Sequence, residues 1–206
     1  MTATAVQPET ANPDQALARR AMIDCQLRVS GVVDVRVLAA MSAVPREHYL
    51  PAAARGHAYI DRAIALEGGH ALPAPLVQGQ MLSEAMPAPG DKVLLVSSGS
   101  GYLAALVEAM GALVDTVSAA DAALLRAGGS GGRYTVLLID GAVEHLPAGL
   151  ADQLAEGGRV VTGLVLRGVT RMASGRKLGG TVQLLPLAEL GIPVLAEFAA
   201  PSSWSF

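Results

Sequence analysis

The order of apolar runs predicts an α/β protein, a doubly wound and mostly parallel sheet with an antiparallel hairpin added at one edge. Three observations lead there. A short buried-strand run, Lys92-Val-Leu-Leu-Val96, is followed at once by the glycine-rich Ser97-Ser-Gly-Ser-Gly101 and then by a helical stretch from Tyr102 to Met110. Strand and helix patterns keep alternating as far as Leu166, which parallel crossovers require. After that, two strand-like runs joined by a short polar segment read as a hairpin.

Taken in order, residues 1–13 are rich in Thr, Ala, Pro and Gln, with neither a basic start nor an apolar run, so they read as a disordered leader and not as a secretory signal. Residues 14–206 read as one domain, with a helical and loop part at 14–88 and the sheet core at 89–206. From Asp14 to Val29 the positions Leu17, Met22, Cys25 and Val29 mark an apolar stripe, with Asn12 or Asp14 as candidate caps and Gly31 as the stop. A second helix is expected over Asp34–Ser42, turning Val35, Leu38, Ala39 and Met41 inward, closed by Pro45. The stretch through Pro51 and Gly68-Gly69 to Pro75 is punctuated as loop, and Leu76–Ala85 is helical again. Beyond the glycine loop come a strand at Leu113–Val117, a helix at Ala119–Ala127, a loop at Gly128–Gly132 and a strand at Tyr134–Ile139. A short helix at Leu150–Ala155, ended by Gly157-Gly158, leads to a strand at Arg159–Leu166. The hairpin pairs Val169–Ala173 with Thr181–Leu185 across Ser174–Gly180.

Composition narrows the function. The 206 residues are 51% hydrophobic and 16% charged, a globular balance that a single core can bury. Cys25 is the one cysteine, which leaves no intramolecular disulfide or cysteine-cluster zinc site and fits a reducing, cytoplasmic setting. Fifteen basic against eighteen acidic residues argue against a nucleic-acid partner, and the densest basic group, Arg167, Arg171, Arg176 and Lys177, reads as a solvated face. Gly, Arg or Asp interrupts every apolar run before it could span a membrane. His48, His57, His70 and His145 are scattered without metal-ligand spacing, so no metal is expected. There is no Ser/His/Asp set and no carboxylate pair, so no side chain is assigned a catalytic role.

A glycine turn between the first core strand and its helix is where such folds hold nucleotide-like cofactors, because backbone can approach the ligand there and the helix start offers free N–H donors. The same turn also serves as a plain strand-to-helix connection. As a dinucleotide fingerprint Gly99-Ser-Gly-Tyr-Leu-Ala104 is a poor match, ending in Ala and lacking its acidic partner about twenty residues on.

The surroundings carry more. Gln26-Leu-Arg28, Val37-Leu-Ala-Ala-Met41, Val44-Pro-Arg-Glu47, Tyr49-Leu-Pro51, Ala58-Tyr59 with Asp61, Pro75, Val93-Leu94 and Gly99-Ser-Gly-Tyr102 follow one another. Ile139-Asp-Gly-Ala-Val-Glu144, Pro147, Gln153-Leu and Gly157-Gly-Arg159 continue the succession. Together they resemble the protein-L-isoaspartate O-methyltransferase family from Arg19 onward, and the ending from Phe198 through Pro201 to Trp204 and Phe206 is similar to its shorter bacterial branch. The resemblance implies a Rossmann-like methyltransferase fold, S-adenosylmethionine as cofactor, and methyl transfer to the isoaspartyl carboxylate of damaged proteins or peptides. It places the cofactor at Ser97, Ser98, Gly99, Ser100, Gly101 and Tyr102, with Ser118 and Asp140 at the ends of the second and third strands. It places the substrate beside Ala71 and Pro73.

Several positions depart from the family pattern. Leu95, Val96 and Ser97 stand where the family loop has an acidic residue, an aliphatic residue and a first glycine. Ser118 stands where an acidic residue accepts the ribose hydroxyls; Asp121 is the one charged group nearby, and the pleat turns Asp115 elsewhere. From Ser118 to Tyr134 is 134 − 118 = 16 residues, room for one shortened crossover instead of two, so a strand and helix that border the adenine in the family are missing. The family's Gly-Gln-Thr-Ile-Ser-Gln-Pro becomes Gly69-His-Ala-Leu-Pro-Ala-Pro75, and its hydroxyls become Ala71 and Pro73. These departures predict weakened or lost activity. The alternative reading is a non-catalytic member of the family that acts by binding or regulating another protein.

Overall fold

The computed structural model describes residues 13–128 and 132–200. The expected leader lies outside the described residues except for Pro13, which opens helix α1 (Pro13–Met22). That helix runs on through a π turn (Ile23–Leu27) and a 3-10 turn (Arg28–Ser30) to Gly31, whose φ of 89° ends it. Its buried stripe is Met22, Ile23 and Leu27, while Leu17, Cys25 and Val29 are exposed, contrary to the expected face. The π turn adds a residue to one revolution and so rotates the face that meets the core. Helix α2 (Val35–Ala43) is capped by the Asp34 carboxylate, which accepts the Arg36 N–H at 2.8 Å. It buries Val37, Leu38, Ala40 and Met41 and leaves Val35 and Ala39 exposed, one step round from the expected stripe.

The segment expected to be all loop contains a small antiparallel pair, β1 (Ile64–Ala65) with β2 (Ala71–Leu72). It feeds α3 (Pro75–Ala85), which starts on proline at its first turn. Then come β3 (Lys92–Ser97), α4 (Tyr102–Ala109), β4 (Leu113–Ser118), α5 (Ala119–Ala123), β5 (Tyr134–Val143), α6 (Ala148–Gln153), β6 (Leu154–Leu166), β7 (Val169–Leu178) and β8 (Thr181–Glu189).

The six long strands form one sheet in the order β4-β3-β5-β6-β7-β8, parallel from β4 to β6 and antiparallel from β6 to β8. Because the crossover after β4 is short, β4 is the sheet's edge and no strand lies outside it among the described residues. Helix α5 stops at Ala123, not Ala127, because the chain must turn back under the sheet to reach β5. It passes α6 so closely that a Cβ on Gly149 would lie 1.9 Å from the Leu125 carbonyl oxygen. The hairpin strands are longer than expected and turn on Gly179-Gly180 alone, both at positive φ. Within β7, Lys177 is buried, not solvated: its ammonium donates to the Ala151 and Leu154 carbonyls at 3.1 and 3.0 Å, closing the C-terminal end of α6.

Both faces of the central strands are covered, so β3 reads as an unbroken apolar run. Val93 and Leu95 face α1 to α4, while Leu94 and Val96 face α5, α6 and the C-terminal segment. That segment docks on its own domain. Val194 bridges Ala142 in parallel, the Ala142 N–H donates to the Pro193 carbonyl at 2.7 Å, and Leu195 and Phe198 are buried. β5 runs past Ile139 because Ala142 and Val143 also pair with Gly163 and Leu164 of β6. Trp204 and Phe206 lie outside the described residues. Among the described residues no helix is long and apolar enough to cross a membrane.

Candidate functional site

The strand that follows β3 in sequence lies on one side of it and the strand after that on the other, so the strand order reverses between β3 and β5 while the strands stay parallel. In open α/β sheets the crevice at the carboxyl ends of such strands is where ligands bind. The glycine loop Ser97–Gly101 stands there. Gly99 and Gly101 have φ of 97° and 76°, a backbone that L side chains rarely adopt, and a Cβ on Gly99 would meet nothing within 4 Å. The loop therefore turns over open space, as a backbone cradle must.

Its three serines are all engaged. The Ser97 hydroxyl accepts the Gly99 N–H at 2.9 Å, and the Ser100 hydroxyl accepts the Tyr102 N–H at 3.2 Å. Ser98 is fully buried and donates to the Asp140 carboxylate at 2.6 Å. Two backbone donors at the mouth of the loop are thus taken by the loop's own side chains. Tyr102 turns inward under Arg46, whose guanidinium lies 4.9 Å from its ring centroid, and burial pushes its hydroxyl up to about 12 against the pull of Arg46.

Asp140 is 2% exposed, so its carboxylate is not a contact a ligand could reach. The β5 pleat sends it with Val136 and Leu138 to the α3 face, where the Gln78 side-chain amide donates to it at 2.9 Å. Gln78 in turn accepts from Arg46, and Arg46 also donates to the Pro73 carbonyl. Burial raises the Asp140 carboxyl above the usual carboxylate range, opposed by the hydrogen bonds from Ser98 and Gln78 and by the charge of Arg46. Burial pushes the Arg46 guanidinium in the opposite direction, down.

At the rim of β4, Ser118 caps α5: its hydroxyl accepts the Asp121 N–H at 3.1 Å and donates to the Asp121 carboxylate at 2.7 Å. Ser118 and Asp121 are both exposed, so this pair is the polar group presented at that edge. Asp115 accepts from the Tyr134 hydroxyl at 2.8 Å, away from the rim, as its pleat position requires. On the substrate side Ala71 is half-buried in β2, whereas Pro73 is buried with its carbonyl taken by Arg46. His70 of the same segment meets Glu197 of the C-terminal segment at 3.4 Å. Glu144, at the β5 rim, accepts the Ala200 N–H and so holds that segment too. No group of three His, Cys, Asp or Glu side chains that could hold a metal occurs among the described residues.

Sequence reasoning gave no site role to Arg46 or Gln78. A signal for Gln78 was present: it is a polar residue amid the apolar positions Val77, Met81, Leu82 and Ala85 of one helix. Asp140 gives the same signal inside Leu137-Leu-Ile-Asp-Gly-Ala-Val143, where an amphipathic strand would put an apolar residue.

The sequence model of the family described as protein-L-isoaspartate(D-aspartate) O-methyltransferase matches residues 18–122, ending where the crossover is shortened. A protein-L-isoaspartate O-methyltransferase of Koribacter versatilis is 40% identical over 176 residues, spanning 73% of this chain and 79% of that one. One of Roseiflexus castenholzii is 34% identical over 204 residues, spanning 88% and 93%. A solved structure from Plasmodium falciparum has a TM-score of 0.71 at 18% identity and covers 87% of this chain and 98% of its own. It is described as a putative protein-L-isoaspartate O-methyltransferase in complex with S-adenosyl-L-homocysteine.

Proposed function

Since the chain belongs to the protein-L-isoaspartate(D-aspartate) O-methyltransferase family, we propose that it methylates isoaspartyl carboxylates of proteins or peptides in the cytoplasm, with a weakened hold on S-adenosylmethionine. The observation that carries this reading is the loop at the β3–β5 switch point, with Gly99 and Gly101 both in left-handed turns, Gly99 over open space and Gly101 against the Tyr49 ring.

The cofactor, when bound, supplies a methyl group on a sulfonium, ready for displacement. An isoaspartyl carboxylate is already ionised near pH 7, so no side chain has to remove a proton. The protein's task is to bring the two together and exclude water. That agrees with a site without a general base. The residues at the loop partly fit the cofactor. Gly99, Gly101 and the start of α4 would face its methionine part, and the Ser118–Asp121 pair is the nearest polar group for its ribose.

The misfit weakens binding without forbidding it. The Gly99 donor is held by Ser97, and among the described residues no strand flanks β4 on its outer side. Replacing a strand-end carboxylate by a serine removes a charged hydrogen bond worth roughly 1.5 to 3 kcal/mol, about ten- to a hundredfold in affinity unless Asp121 makes part of it good.

The test is calorimetric titration with S-adenosylhomocysteine followed by methylation of an isoaspartyl peptide. Measurable binding and methyl transfer specific to the isoaspartyl form are expected. A folded protein that gives no heat up to millimolar ligand would overturn the reading.

A further inference from the structure

We propose that Ser98, Asp140, Gln78 and Arg46 form a positioning relay that holds the cofactor loop at a set distance from the substrate-side segment. This rests on the methyltransferase reading above. The relay begins at the Pro73 carbonyl, in the segment 69–75, and ends at Ser98, in the middle of the glycine loop. Arg46 donates to Pro73 with one nitrogen and to the Gln78 side-chain oxygen with another. The Gln78 amide nitrogen donates to one Asp140 oxygen at 2.9 Å, and the Ser98 hydroxyl donates to the other at 2.6 Å. All four side chains are at most 2% exposed.

Gln78 is the piece that makes this a relay. Its oxygen faces a cation and its nitrogen faces an anion, so both ends of the amide are used and its orientation is set by its neighbours. A carboxylate at this position would repel Asp140, and an aliphatic residue would take one hydrogen-bond partner from Arg46 and one from Asp140. A guanidinium and a carboxylate buried without direct contact are a costly way to fill a core, and apolar residues of similar volume would stabilise the fold as well or better. What the arrangement supplies instead is a single geometry. Each member comes from a different part of the chain: the turn after Pro45, α3, the end of β5 and the loop after β3. A shift of any one breaks a hydrogen bond in a medium where the freed group finds no water.

A methyl displacement needs that rigidity. The attacking oxygen and the methyl carbon must stand about 3 to 3.5 Å apart and in line, and a misplacement of about 1 Å can cost on the order of a hundredfold in rate. Ser97–Gly101 carries the cofactor side and 69–75 the substrate side, so the relay spans the gap across which the reaction takes place. None of its four members touches the reacting atoms.

The experiment compares the wild-type protein with Ser98→Ala, which cuts the link between Asp140 and the loop, and with Ser98→Thr, which keeps the hydroxyl. Amide hydrogen exchange over residues 99–101 is expected to quicken about tenfold in Ser98→Ala, while β3 and β5 exchange as before. S-adenosylhomocysteine should bind that variant about tenfold more weakly, and its kcat for an isoaspartyl peptide should fall with peptide KM unchanged. Ser98→Thr should restore all three. If Ser98→Ala exchanges and binds like wild type, or if Ser98→Thr behaves like Ser98→Ala, the relay is refuted. If wild type itself binds no S-adenosylhomocysteine, the methyltransferase reading fails, and the exchange comparison still decides whether Ser98 anchors the loop.

Discussion

Substituting Ser97 by glycine should tighten cofactor binding while making the protein slightly less stable. In the free protein the Ser97 hydroxyl accepts the Gly99 N–H at 2.9 Å, one of the donors that the turn would otherwise offer outward. A ligand oxygen that takes this amide must first displace the hydroxyl, and such a neutral hydrogen bond contributes about 1 kcal/mol net. Removing it is expected to improve the Kd of S-adenosylhomocysteine by about fivefold. Glycine at the end of β3 costs the fold roughly 0.5 to 1 kcal/mol in chain entropy and the lost hydrogen bond about 1 kcal/mol more, together a fall in Tm of about 3 to 8 °C for a chain of this size. Calorimetric titration and thermal unfolding measure both effects. Ser97→Ala separates the causes, because it removes the hydroxyl and keeps the Cβ. Tightening in both variants marks the hydroxyl as the obstacle, and tightening in Ser97→Gly alone marks the Cβ. Binding no tighter than wild type in both variants refutes any competition between Ser97 and the ligand for the Gly99 amide.

Asp140→Asn gives a prediction with a definite sign. Burial raises the Asp140 carboxyl above its unfolded value, so its favourable contribution is fully present below the usual carboxylate range and is lost as pH rises through the folded value. Relative to wild type, the variant should therefore gain stability between about pH 4 and pH 7, read as the difference in Tm across that range; a flat difference or the opposite slope would refute it. Phe198→Ala empties a fully buried site beneath the C-terminal segment and should cost about 3 to 5 kcal/mol, a Tm loss on the order of 10 °C. An unchanged Tm would mean that the segment does not depend on this contact.

The sheet was legible because its signals are local and redundant. Val93 to Val96 are apolar on both faces, the glycines follow at once, and the length from Ser118 to Tyr134 limits the crossover whatever the packing. Helix faces were less legible. Of the stripe expected for the first helix only Met22 is buried; one π turn shifts Cys25 and Val29, and that turn is not written in the apolar spacing. Hairpin length failed similarly: Ser174 to Leu178 look like a polar connection until Lys177 is seen to end on carbonyls at the end of α6.

At the site, the sequence and its family resemblance placed the glycine loop with Gly99 and Gly101 after the first core strand, and put Ser118 at the end of the second. These depend on chain order and on which side chains are present. Only the tertiary structure decided what those groups do. Asp140 and Ser98, expected to meet the cofactor, turn into the core and toward each other. Ser97 closes on the Gly99 amide, and Arg46 and Gln78 enter the site from segments 32 residues apart. A hydrogen bond in a buried network depends on which donors and acceptors the packing brings within about 3 Å, and no periodicity along the chain records that distance.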